Sequence, residues 1–204
     1  MELGSFLAGL CASLVGVAAT VISTNKVESI KQHRDVENVK NALYVELNDL
    51  ANECYENIDV VYDVYARAIM YKKTGNDSLF DSYSLPRPPV LIVLNNTLEK
   101  CYVYLTKDQR DAIRTMLYLV DRMTKDLELI EAKMPSNHKD IQSERLYTII
   151  STLGVIYQLA VAFKEEKERF KNSNKSADEL FEDTLEMKKL SLELLDIMQY
   201  LRTA

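Results

Sequence analysis

Histidine and cysteine carry the widest range of chemistry in a protein, and this chain has two of the first and three of the second. His33 lies in a charged stretch and His138 in an expected interhelical turn. Neither has another histidine or a cysteine at ligand spacing, so no metal centre is predicted. Cys11, Cys54 and Cys101 are far apart, odd in number and without a CxxC pair. They read as small apolar side chains, not as a disulfide framework or zinc site. Glu165, Glu166 and Glu168, and likewise Glu179, Glu182 and Asp183, are the acidic clusters to consider for cations. Lys164, Lys167 and Arg169 interrupt the first, and the second falls near a helix start, where acids are favoured by the dipole. Both read as solvated faces. No serine occupies a G-x-S-x-G elbow, and paired carboxylates for acid–base work would need burial that these positions do not predict. The sequence therefore points to no catalytic residue, cofactor or metal.

Two other features bear on recognition. Pro86, Arg87, Pro88 and Pro89 satisfy the P-x-x-P spacing, so this loop is a candidate partner-binding segment in extended form, as well as a stiff connector. The twelve tyrosines suit helical cores and interfaces, where an apolar ring and a polar tip are both useful. Basic residues are interspersed with acids and the net charge is −6, which leaves no Lys/Arg stripe for nucleic acid.

The elements that hold these residues are expected to be helices. Apolar residues make up 47% of the chain, with five Gly and four Pro, which is globular composition with little material for turns. No alternating strand pattern is present. Residues 1–24 read as a transmembrane anchor, because Leu3 to Thr24 contains no charged side chain and about 20 apolar residues suffice to cross a bilayer. No Lys or Arg precedes it, whereas Lys26, Lys31, Arg34 and Lys40 come soon after it. That asymmetry predicts an external N-terminus and a cytoplasmic C-terminal domain, most simply at a bacterial inner membrane. Gly4, Ala8, Ala12, Gly16 and Thr20 recur at every fourth position, a small-residue face through which two anchors can approach, so a homo-oligomer is expected.

Residues 25–40 form a charged helical segment, continuous with the next apolar stripe. A helical bundle over 41–204 is then predicted, interrupted by a Pro-containing loop at 74–90. In the first helix Leu43, Leu47, Leu50, Cys54, Ile58, Val61, Tyr65 and Ala68 form the apolar face, and Glu46, Asp49, Glu53, Glu56 and Asp63 the wet one. A second helix is expected from Val90 to Leu105. A third starts at Thr106, where Gln109 completes a capping box, and stops near Met134, before Pro135. A fourth runs from Lys139 to Lys171, and a fifth from Ser176, capped with Glu179, to Arg202. Residues 146–163 are uncharged and long enough for a short second span. A polar stripe of Glu144, Thr148, Ser151, Thr152, Gln158 and Glu165 favours a core helix, though in an assembly it would also suit a water-filled path.

The fold class expected is thus all-α, an N-terminal transmembrane helix followed by a cytoplasmic bundle of four or five long helices. The function expected is non-enzymatic, acting through protein–protein contact or self-assembly at the lipid bilayer. The competing expectations are an oligomerising, membrane-perturbing effector held in check by its helical domain, and a ligand sensor or enzyme with a site formed only on folding.

Overall fold

The computed structural model describes residues 2–133 and 142–203, with the backbone alone for 2–19, 21, 22, 25, 133, 202 and 203. Its elements, in chain order, are α1 (Glu2–Thr74), a 3-10 turn (Asp77–Phe80), α2 (Val93–Cys101) with a 3-10 turn (Tyr102–Tyr104), α3 (Lys107–Lys133), α4 (Ser143–Glu166) with a 3-10 turn (Lys167–Arg169), α5 (Ala177–Lys188) and α6 (Leu194–Thr203). Among the described residues the chain is all-helical, with no strand.

The charged segment 25–40 is helical and continuous with both its neighbours, as the absence of Gly and Pro there implies. The helix stops where glycine permits: Gly75 takes a φ of 65°, and its amide bonds to Tyr71 O at 2.8 Å. All eight residues of the expected apolar face, from Leu43 to Ala68, are buried. Around them α4 runs antiparallel to α1. Lys72 at one end reaches Ser143 Oγ at 2.6 Å, while at the other Lys164 reaches Asn48 at 3.2 Å and Lys40 pairs with Glu168 at 2.8 Å.

Ser143–Arg169 is, among the described residues, the one stretch long and apolar enough to cross a membrane, with mean hydropathy 1.7 in its most apolar window. A core helix meets the same description, and 56% of that window is buried inside the protein. α1, α3 and α5 pack round it. The polar stripe of α4 is divided among its neighbours and solvent: Gln158 Nε2 donates to Thr184 Oγ1 of α5 at 3.3 Å, Glu144 pairs with Lys72 of α1 at 3.2 Å, Thr152 is buried and Glu165 is exposed. Gly154 permits this contact, since a Cβ there would lie 3.2 Å from Thr184 Oγ1.

Several boundaries differ from the expectation. The second helix is shorter, Val93–Cys101, because Pro88 and Pro89 hold the preceding chain extended and α2 starts where an acidic side chain from α1 meets its free amides. The fourth ends at Glu166, where Gln109 Nε2 bonds Lys167 O at 2.9 Å and Phe170 turns inward to stack on Phe163, centroids 4.8 Å apart. The fifth helix is two. Lys189 takes a left-handed φ of 54°, its amide bonds Glu186 O at 3.0 Å, and Leu190 N bonds Leu185 O at 2.9 Å, which closes α5. Tyr62 then donates to Ser191 O at 2.5 Å, and α6 folds back so that Tyr200 meets Tyr62 edge-on at 5.0 Å. Among the described residues there are therefore three long helices and three short ones, not four or five long ones. Both expected capping boxes form, at Thr106 with Gln109 and at Ser176 with Glu179. The end of the third helix at Met134, before Pro135, lies outside the described residues, whereas the fourth starts at Ser143 and not at Lys139, because its N-cap Gln142 is extended, with φ −81° and ψ 101°.

Candidate functional site

From Asn41 to Ala66, α1 carries six carboxylates and no Lys, Arg or His. The fold satisfies three of them. Asp59 pairs with Lys188 at 2.5 Å, Asp63 with Arg67 at 2.6 Å, and Glu46 reaches across to the start of α2. There its Oε1 accepts from the amides of Ile92 and Val93, both at 2.7 Å, and its Oε2 from the amide of Leu94 at 2.5 Å. Ile92, at the N-cap, supplies no side-chain bond of its own, so one carboxylate from α1 satisfies three amides that a Ser or Asp would otherwise share. The remaining three, Asp49, Glu53 and Glu56, have no cation among the described residues. Burial, followed by the charge of Glu56, holds the Glu53 carboxyl above its ordinary value.

Glu46 also fixes the wall of a groove. Residues 89–92 alternate inward and outward: Pro89 and Leu91 are buried, whereas Val90 is 79% and Ile92 64% exposed. Facing them on α1 are Ala42 and Val45, the latter 62% exposed, with Leu50 beneath. The groove measures about 570 Å³, and Asp49 and Glu53 lie along its α1 side. What it offers chemically is an apolar strip beside uncompensated negative charge.

Of the residues singled out from sequence, Pro89 lines this groove, and the others sit elsewhere or play structural parts. Pro86 and Pro89 are buried, which leaves Arg87 and part of Pro88 as the presented surface of the P-x-x-P segment. Gly4, Ala8, Ala12 and Gly16 lie on α1, but their side-chain surroundings are outside the described residues; Thr20 is exposed. His33 is exposed and faces Glu37 at 3.7 Å, and His138 is outside the described residues. Burial pushes the Cys54 thiol up to about 12 and also raises Cys101, which keeps both protonated and unreactive. Of the acidic clusters, Glu168 pairs with Lys40, Asp183 with Lys175 at 2.5 Å, and Glu179 closes its capping box. Among the described residues no group of three or more His, Cys, Asp or Glu side chains converges as a metal site would require. No family model, curated protein or solved structure matches this chain.

Sequence reasoning misses the groove. It places the acids of α1 on a wet face and reads the loop as a P-x-x-P element. The available signal is the run of carboxylates without a single base, opposite a loop whose apolar residues come directly after the prolines.

Proposed function

We propose that this chain is a membrane-tethered, non-enzymatic interaction module whose copies associate through the anchor and the part of α1 just beyond it. The observation that carries the reading is that α1 is one helix from Glu2 to Thr74. Whatever face the anchor presents is thereby carried directly into the domain. Val27 lies about two turns beyond Thr20 and about three beyond Gly16, on the same side of a helix with 3.6 residues per turn. It is 64% exposed and Ile30 46% exposed, and they line a depression of about 420 Å³ with Lys31, Arg34, Asp35 and Asn38. Tethering two copies in one bilayer aligns these helices in parallel, so the same face meets itself about a two-fold axis. The basic residues after the anchor support a cytoplasmic domain.

The test is disulfide or bis-maleimide crosslinking in native membranes, with Cys11 replaced by Ala and the buried Cys54 and Cys101 retained. Val27→Cys is expected to give a crosslinked dimer and Ser29→Cys, on the far side of the helix, little or none. Equal yields at the two positions, or recovery of the chain in the carbonate-soluble fraction, would overturn the reading.

A further inference from the structure

We infer that the groove between α1 and residues 89–92 receives a basic amphipathic helix from a partner protein, a proposal that rests on the interaction-module reading and names the partner's chemistry. Three observations converge on it. The exposed side chains Val45, Val90 and Ile92 form an apolar strip next to a concave wall. Ala42 to Glu53 spans about three helical turns, roughly 17 Å, so the strip accepts a short helix with apolar residues at i, i+3 or i+4 and i+7. The charge decides the flanks. Asp59, Asp63 and Glu46 each find a partner within the chain, while Asp49 and Glu53 along the groove, and Glu56 one turn on, find none among the described residues. A lysine- or arginine-flanked helix supplies the missing cations, whereas an acidic or anionic occupant meets repulsion along the whole α1 side.

Glu46 makes the groove a built feature. By holding the amides of residues 92–94 it sets the distance between the loop and α1, so the site exists before any partner arrives.

The experiment uses the full chain in nanodiscs of uncharged phosphatidylcholine, with empty nanodiscs as the blank. Three fluorescein-labelled 14-residue probes are titrated by anisotropy: a Leu/Lys amphipathic helix, its Leu/Glu counterpart, and a scrambled Leu/Lys peptide without an apolar face. The Leu/Lys helix is expected to bind at least about tenfold tighter than either of the others, with affinity falling as salt rises. Asp49→Lys with Glu53→Lys inverts the order of the first two probes, and Val45→Asp with Val90→Asp weakens the Leu/Lys helix by about tenfold or more. These four positions are exposed or half-buried, and circular dichroism verifies that the variants stay helical. Equal binding of the three probes, or an order that the substitutions leave unchanged, overturns the proposal. A change in dimer content on Val45→Asp would overturn it too, by assigning the groove to a second copy. Crosslinking at Val27 is a separate readout, so failure of self-association is distinguishable from failure of this site.

Discussion

The two ends of α2 expose apolar side chains in opposite electrostatic settings. At its N-terminus Val90 and Ile92 stand beside Glu46, Asp49 and Glu53. At its C-terminus Val103 is 79% exposed and Tyr104 50%, but here the neighbours are cations. Arg110 lies 4.7 Å from the centre of the Tyr102 ring and donates to Leu105 O at 2.6 Å, and Arg114 approaches the same ring at 5.8 Å. The difference is one of saturation. The basic end spends its charge on its own aromatic ring and its own carbonyls, so little is left to offer. The acidic end spends one carboxylate on the backbone and keeps two without a cation among the described residues. Exposure alone does not separate these patches; accounting for each charge does.

The comparison breaks most sharply at Glu46. Glu46→Ala removes three charge-assisted bonds to the start of α2 and is expected to cost about 2–4 kcal/mol. Urea unfolding of the full chain in nanodiscs, followed by circular dichroism, measures it, and probe binding at the groove should be lost with it. Arg110→Ala at the other end removes two carbonyl bonds, to Tyr102 O and Leu105 O, and one cation–π contact, for about 1–2 kcal/mol. It should leave the Leu/Lys probe unaffected, and a loss of binding there would erase the distinction between the two ends.

A smaller effect sharpens the contrast. Because folding raises the Glu53 pKa, the folded state holds that proton more tightly than the unfolded one. Its contribution to stability is full below the ordinary value of 4.5 and is lost as pH rises above it. Glu53→Gln should flatten that part of the stability–pH curve and add a few tenths of a kcal/mol near pH 7, the scale of an exposed like-charge pair. An effect no larger, under about 0.5 kcal/mol, is expected from Arg114→Ala, since its contacts with Asp111 and Tyr102 are exposed.

Local signals are legible in the sequence and long-range ones are not. The capping pairs Thr106 with Gln109 and Ser176 with Glu179 lie three residues apart, so their chemistry is written contiguously, and both form. The periodic core face of α1 is readable for the same reason, and its eight residues at that spacing, from Leu43 to Ala68, are buried; in α3, Ala112, Ile113, Met116, Val120, Met123, Leu127 and Ile130 are buried at the same spacing. By contrast, the start of α2 depends on Glu46, 46 to 48 residues away in sequence, and no local rule brings the two together. The α5–α6 break is marked by neither Gly nor Pro. It depends on Lys189 taking a left-handed conformation and on a hydroxyl from α1 holding Ser191 O. The inward turn of Pro86 and Pro89 likewise comes from packing, which spacing does not encode. The groove escapes a local reading because each wall, taken alone, looks like an ordinary solvated surface, and only the base-free run of carboxylates from Asn41 to Ala66 hints at it.

The unbroken course of α1 has a mechanical consequence. Val45 stands about 30 Å along the helix from Thr24. If the proposed anchor tilts by about 10°, an amount well within the range of membrane helices, the groove is carried sideways by about 5 Å. With no Gly or Pro between residues 17 and 74 to absorb the motion, the helix acts as a lever arm, and bilayer thickness becomes an input that sets where the acidic strip is presented.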